Sequence, residues 1–452
     1  MKLQFLFLLM LTPLLVLGQE EQVFDTIQVK MNSGSFKRVI LYSAKGSQQK
    51  YVSYADSDTN DFSLKIPKNS HKGMYRLLYD QKSMNYIDFL YTGKGFKVIF
   101  NPEKPEMIPE FVKSEINSNY YKLLNTFGTF QVHLDSLQVA YFQAQDSITL
   151  TQIEEKYIGT FSLFDDYLQN FDKTEPAGLL KDLVLANVRV QPKMPIKNPT
   201  DYLPYIKSHY FDYIDFNNEH LIYSSILVDK VMDYIFYLTV AQDVDTQNKL
   251  YKKSVLDVMQ RIDNQSLKSG FIKSLIQSFA KDENISLTDY LFDEFYDKLP
   301  DEYRDKKFET SLQQELKTAI GRIAQDIVWK EGDKTIKLSE LEGYDYYIIV
   351  FWSSTCPHCL KEIPKLYEYG KDKENIKVIA VGMETEESQN KWKSETYYYP
   401  NFTHVLALDK WENPLARSYN IYATPTYFIL DKDKKIINKP YEFKDLEEFF
   451  QK

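Results

Sequence analysis

The sequence predicts a multidomain protein: an N-terminal antiparallel β-sandwich, a helical middle domain, and a C-terminal α/β domain. Three observations predict it. A chain of 452 residues exceeds what one hydrophobic core ordinarily serves. Apolar residues alternate with polar ones over residues 23–103, then recur every three or four residues to about 310. From about Leu316, short apolar runs alternate with helical stretches, the pattern of a sheet covered by helices. The expected limits are 1–18 for an export signal, 19–105 for the sandwich, 106–315 for the helices and 316–452 for the α/β domain.

The first segment has the layout of a secretory signal. Lys2 precedes an apolar run from Leu3 to Leu17, followed by Gly18, Gln19 and two glutamates, with cleavage expected after Gly18. An uncleaved membrane anchor is the alternative; the run is short of the roughly 20 residues a span needs, and it holds Pro13. No Cys follows it, so a lipid-modified N-terminus is not expected. Further on, the apolar stretch 221–240 carries Asp229, Lys230 and Asp233.

In the sandwich region Ile27, Val29 and Met31 alternate with polar residues, as do Phe62, Leu64 and Ile66. Further strands are expected at Val39–Tyr42, Tyr51–Ala55, Met74–Tyr79, Ile87–Tyr91 and Phe96–Phe100. Asp56-Ser57-Asp58 reads as a turn and Gly93-Lys94-Gly95 as a hairpin. No catalytic constellation stands out here. After the boundary at Asn101–Pro105, the residues Ile153, Tyr157, Phe161, Phe164, Leu168 and Phe171 fall on one helical face. Such aromatic stripes suit helix-on-helix packing, and a ligand cleft is the alternative reading.

In the last third, Tyr346–Trp352 is an apolar run suited to a strand buried on both faces. Ile376–Val381 and Val405–Leu408 are further strands, Thr426–Leu430 and Lys435–Ile437 a hairpin about the turn 431–434, and Leu446, Phe449 and Phe450 one face of a closing helix.

The net charge is −9, with both signs interspersed. Nothing resembles the basic stripe that displaces counterions from a nucleic acid, so no nucleic-acid partner is expected. The 2 cysteines are three apart, too close to staple a large chain, so the pair serves redox chemistry or a metal. A structural zinc needs four ligands. His71, His133, His209, His220 and His404 are scattered singly, so neither metal nor cofactor is expected. Cys356-Pro357-His358-Cys359 follows the buried strand and opens a helix, with Pro357 in the first turn, where its missing N–H is no loss. The helix N-terminus then favours the thiolate of Cys356, which is the nucleophile of disulfide exchange, and Cys359 is placed to resolve the mixed disulfide.

The segment Phe351-Trp-Ser-Ser-Thr-Cys-Pro-His-Cys-Leu-Lys-Glu-Ile-Pro364 resembles the active site of the thioredoxin superfamily, in particular its TlpA/ResA-like exported thiol–disulfide oxidoreductases. Ile320-Gly321 and Leu338–Gly343 look like the stretch that opens that domain, and Ala423-Thr-Pro-Thr-Tyr-Phe-Ile-Leu-Asp431 is similar to its second signature. The resemblance covers about the last third of the chain and implies a thioredoxin-like fold. It implies Cys356 as the exposed nucleophile, Cys359 as the resolving thiol and Pro425 as a cis proline beside them. Thr424 would offer backbone to a substrate strand, and Trp352 and Thr355 would border the substrate groove. Pro364 matches a proline that kinks the helix, and Glu362 an acid that helps move the proton of Cys359; a solvated helix charge is the other reading of Glu362. Val350 stands where thioredoxin itself has a buried Asp, and Thr355 where a Trp usually precedes the first Cys. A peroxidase of this fold would want Pro where Ile349 stands.

Pro357-His358 resembles the dipeptide of DsbA-like oxidants, with His358 stabilising the Cys356 thiolate, whereas the TlpA/ResA likeness implies a reductant; both directions stay open. The sandwich, with Tyr91-Thr-Gly-Lys-Gly-Phe96, looks like the uncharacterised domain that often precedes such modules in Gram-negative bacteria, which implies a periplasmic address. The expected partners are exported protein thiols or disulfides and a membrane or periplasmic redox partner. A scaffold reading stands beside this one, in which the upstream domains bind the partner and the C-terminal module only docks it.

Overall fold

The computed structural model of the protein describes residues 23–238 and 240–451, so the expected export signal lies outside the described residues. Among the described residues no helix is long and apolar enough to cross a membrane. The chain forms two compact units, one ending at Gly270 and one beginning at Phe271. The limits expected at 105 and 315 fall inside these units, because helices on both sides of the division are bound to the sheet nearest them in sequence.

In the first unit the strands are β1 (Phe24–Met31), β2 (Arg38–Lys45), β3 (Gln48–Asp56), β4 (Asp61–Pro67), β5 (Gly73–Asp80), β6 (Asn85–Tyr91), β7 (Phe96–Phe100) and β8 (Glu110–Val112). They form two four-stranded sheets, ordered β4-β1-β7-β8 and β3-β2-β5-β6. Alternation sends Ile27, Val29 and Leu64 from one sheet and Leu41, Leu77 and Phe89 from the other into a single core. The sandwich is antiparallel except at β1 and β7, which run parallel. That pair revises the reading of Gly93–Gly95. The segment is no hairpin; it carries the chain from β6 in one sheet to β7 in the other. A Cβ at Gly95 would collide with the Thr26 carbonyl of β1, so the crossing needs a residue without one.

Helices α1 (Glu115–Gln143) and α2 (Ser147–Thr174) follow as a long hairpin. The expected stripe is the packed face: Tyr157, Phe164, Leu168 and Phe171 are buried, and Phe127 of α1 lies 6.2 Å from Phe164 and 5.9 Å from Phe171, ring to ring. Asp146 caps α2 by accepting the Thr149 N–H at 2.9 Å. The buried amide of Asn117 binds α1 to the sandwich: it accepts the Leu90 N–H at 2.7 Å and donates to the Leu90 carbonyl at 2.8 Å. Helices α3 (Leu179–Asn187), α4 (Pro199–Ser208), α5 (Glu219–Ile222), α6 (Ile226–Phe236) and α7 (Val244–Arg261) complete this unit, and the division falls inside α8 (Gln265–Lys281).

The second unit holds α9 (Ile285–Leu291), α10 (Lys306–Leu316), a hairpin of β9 (Val328–Glu331) and β10 (Lys334–Lys337), and a five-stranded sheet. The sheet comprises β11 (Tyr346–Trp352), β12 (Ile376–Glu384), β13 (Thr403–Leu408), β14 (Thr426–Asp431) and β15 (Ile436–Asn438), in the order β13-β12-β11-β14-β15. It is mixed, β11 running parallel to β12 and antiparallel to β14. Its helices are α11 (Cys359–Gly370), α12 (Gln389–Thr396), α13 (Pro414–Ser418) and α14 (Phe443–Gln451). Because β11 is apolar at every position it serves two cores. Ile349 and Phe351 join one, and Ile348, Val350 and Trp352 join the other with Ile363 of α11 and Leu446 of α14. This is the thioredoxin-like α/β domain the sequence predicts.

Candidate active site

Between the end of β11 and the start of α11 the chain makes a tight turn that is held from below. The Cys356 N–H donates to the Ser353 carbonyl at 3.1 Å, and the Ser353 hydroxyl accepts the Thr355 N–H at 3.2 Å. Glu384, at the end of the neighbouring β12 and fully buried, accepts the Ser354 N–H at 2.5 Å and the Ser388 hydroxyl at 2.6 Å. Glu384 was not among the expected site residues; in sequence it sits in the acidic stretch 384–387 and carries no local signal.

The regular helix begins at Cys359, one turn later than expected, with Pro357 in the turn that precedes it. The Leu360 N–H donates to the Cys356 carbonyl at 3.1 Å, so the turn that leads into the helix starts at Cys356. Its sulfur lies at the mouth of α11, where it accepts the Cys359 N–H, the first of the helix, at 3.2 Å. The thiol also faces the carbonyl of Thr424 at 3.4 Å, and the Thr424–Pro425 peptide is cis. The site therefore joins two segments some seventy residues apart in sequence.

The two cysteines are free thiols in unlike surroundings. Cys356 is half-buried. Burial opposes its charge, but hydrogen bonds from the Cys359 thiol and amide and the His358 amide outweigh that and lower its pKa. Cys359 is 0% exposed, and burial, with the neighbouring Cys356 sulfur, pushes its pKa up to about 12. His358 reaches the Cys356 sulfur through its backbone; its ring, like Pro357, faces solvent.

Glu362 departs from one of the two readings given to it. It is 4% exposed, so it is not a solvated charge. One carboxylate oxygen lies 2.7 Å from the Lys365 ammonium, and the other accepts the Phe443 N–H, the first of α14, at 2.8 Å. Burial opposes its ionisation, and these two partners overcome it, holding the group below the usual carboxylate range. It acts as an anchor between α11 and the N-terminus of α14. Trp352 is fully buried in the core beneath the sheet and does not line a groove, because inward and outward positions alternate along β11 and its neighbours on that face are Val350 and Ile348. Thr355 is exposed beside Cys356.

Residues 320–439 match the model of the AhpC/TSA family. The thiol–disulfide oxidoreductase ResA of Bacillus thuringiensis subsp. konkukian is 31% identical over 144 residues, 30% of this chain and 80% of that one. ResA of a Bacillus cereus strain is 31% identical over 126 residues, 27% of this chain and 70% of that one. Among solved structures, the thioredoxin domain of a thiol–disulfide oxidoreductase from Bacteroides vulgatus is 27% identical, covering 29% of this chain and 96% of that chain, with a TM-score of 0.25.

Proposed function

Because the chain belongs, through its C-terminal third, to the ResA family of thiol–disulfide oxidoreductases, we propose that it exchanges disulfides with exported proteins in the periplasm through Cys356. The observation that carries this reading is the asymmetry of the pair: a reachable sulfur at the mouth of a helix, and a buried one a single turn behind it. The Cys356 thiolate attacks a substrate disulfide, one substrate sulfur leaves and takes up a proton, and a mixed disulfide forms. Cys359 then loses its proton and attacks the Cys356 sulfur. This closes the Cys356–Cys359 disulfide and releases the second substrate thiol, so that two electrons have passed to the substrate. The reverse sequence donates a disulfide. The periplasmic address is supported by the charge and apolar run of residues 2–17.

Cys356→Ser should abolish reduction of insulin disulfides, and Cys359→Ser should accumulate mixed disulfides with substrate. Turnover surviving in Cys356→Ser would sink the assignment. Direction is read from the reduction potential of the pair. Hydrogen bonds to the Cys356 sulfur favour the reduced form, so the potential is expected above the roughly −270 mV of thioredoxin, toward the roughly −120 mV of DsbA. Titration against a glutathione buffer with thiol labelling measures it; a value at or below that of thioredoxin makes the pair a reductant.

A further inference from the structure

A cavity of about 630 Å³ opens between the β2–β3 hairpin, the loop from β4 to β5 and Tyr223, wholly within the first unit. Tyr223 follows α5, and backbone bonds hold that segment against the sandwich. The Gly46 N–H, in the β2–β3 turn, donates to the Ile222 carbonyl at 2.7 Å, and the Met74 N–H donates to the Tyr223 carbonyl at 2.9 Å. A Cβ at Gly73 would stand 2.7 Å from that Tyr223 carbonyl, so the approach needs glycine there. The His71 ring stacks on the Tyr223 ring with centroids 4.0 Å apart, and the Tyr223 hydroxyl lies 3.1 Å from His71 Nε2. Two segments 152 residues apart thus build one fixed wall.

Charge describes what fits there. Lys45, Lys50 and Lys72 border the cavity, all three exposed, and no carboxylate does. Among the described residues none of the three forms an ion pair; the Lys45 ammonium instead lies 5.5 Å from the centre of the Tyr223 ring. The whole chain carries −9, so three such cations around one concavity reverse the local sign. Concave walls of low dielectric concentrate their field. All three are lysines, compact charges suited to a phosphate, and none is the arginine whose fork grips a planar carboxylate. Within this rim the surface is apolar, with Met74 buried and Val52 and Pro67 half-buried. Tyr51, 54% exposed, adds a ring that a flat or ring-shaped ligand can cover.

We propose that this cavity binds a phosphate monoester with a ring-shaped body, its phosphate among Lys45, Lys50 and Lys72 and its ring against Tyr51. A phosphate monoester carries about −1.5 to −2 charges near pH 7 and three strong acceptor oxygens, which matches three ammonium groups. The volume falls in the range of roughly 300–1,000 Å³ usual for small-molecule sites. The same group occurs on free phosphorylated sugars and on lipid headgroups, and the cavity meets it through the same contacts in either. The site uses neither cysteine, so it stands or falls independently of disulfide exchange.

The test titrates the full chain with phenyl phosphate and with inorganic phosphate by isothermal calorimetry. Phenyl phosphate should bind with a Kd below about 10 mM, and more tightly than inorganic phosphate. Lys45→Gln/Lys72→Gln should raise that Kd about tenfold. Lys30→Gln/Lys122→Gln, which removes two exposed lysines outside the cavity, should leave it unchanged. Tyr51→Ala should weaken phenyl phosphate alone, toward the affinity of inorganic phosphate. Equal urea midpoints show that the variants fold. A Kd unmoved by the first pair, or moved as far by the second, overturns the site, as does wild-type protein that binds phenyl phosphate no better than inorganic phosphate. Flotation with phosphatidylcholine vesicles, with and without phosphatidic acid, separates the two sources. Capture by phosphatidic acid that phenyl phosphate reverses assigns the monoester to a lipid headgroup; otherwise the ligand is a soluble one.

Discussion

Cys356 and Cys359 share one turn of chain, yet their surroundings push their protons in opposite directions. Cys356 receives the Cys359 N–H and is half in solvent, while Cys359 is buried in the core that holds Ile363, Trp352 and Tyr427. A thiol whose pKa is lowered is charged at lower pH, so alkylation of the reduced protein by iodoacetamide should have its rate midpoint below roughly 8.5. All of the label should be on Cys356. A midpoint above that value, or label on Cys359 in folded protein, contradicts the geometry. Glu362 gives a second titration. Its folded pKa is lowered from an unfolded value of about 4.3, so the stability it supplies is complete above that pH and is lost as pH falls through the folded value. Glu362→Gln should cost about 1 kcal/mol at pH 7, since Lys365 is half in water and the Phe443 N–H keeps an acceptor. In urea unfolding from pH 6 to 3 the gap between wild type and variant should close toward the acid end; a constant gap would mean the charge does not matter. At this scale the cysteines were legible because their motif is contiguous. Glu384 and the burial of Trp352 were not, since one depends on a neighbouring strand and the other on which face of β11 the side chain takes.

Elements were read from period, and period says that a face is buried without saying what buries it. The α2 stripe was clear in sequence, and so were the strands of both sandwich sheets except β8, which lies beyond the limit expected at 105. The parallel pairing of β1 with β7 was not, because it depends on a crossing between sheets that three turn residues also present in a hairpin would encode. The docking of α1 is a like case. Asn117 sits early in a long helix and has no sequence mark, yet its amide satisfies both backbone groups of Leu90 on the outer edge of β6. Asn117→Ala strands a buried N–H and a buried carbonyl, and each unsatisfied group costs about 1–3 kcal/mol. The variant should lose about 3 kcal/mol by urea unfolding. A loss under about 1 kcal/mol would mean that water reaches Leu90 and the edge is not sealed by α1.

At the scale of the whole chain, the resemblance in sequence begins near residue 316, and that is where a domain boundary was expected. The structure places it at Gly270, with α9 and α10 belonging to the redox unit. The reason is physical: Gln314 pairs with Asn420, Arg322 with Asp289, and Leu287, Leu291, Tyr296 and Leu312 are buried. An amphipathic helix declares its apolar face, but only packing tells which sheet lies over it. Two fragments separate the alternatives. One begins at residue 265, so that α8 stays whole, and the other at residue 317. Each fully buried large side chain contributes about 1.5–3 kcal/mol, and the shorter fragment lacks four such groups while exposing the surface they covered. It should unfold at a clearly lower urea concentration than the longer one, or fail to stay monomeric. Equal midpoints would show that residues 271–316 add nothing to the redox fold, and that the limit read from sequence is the true one.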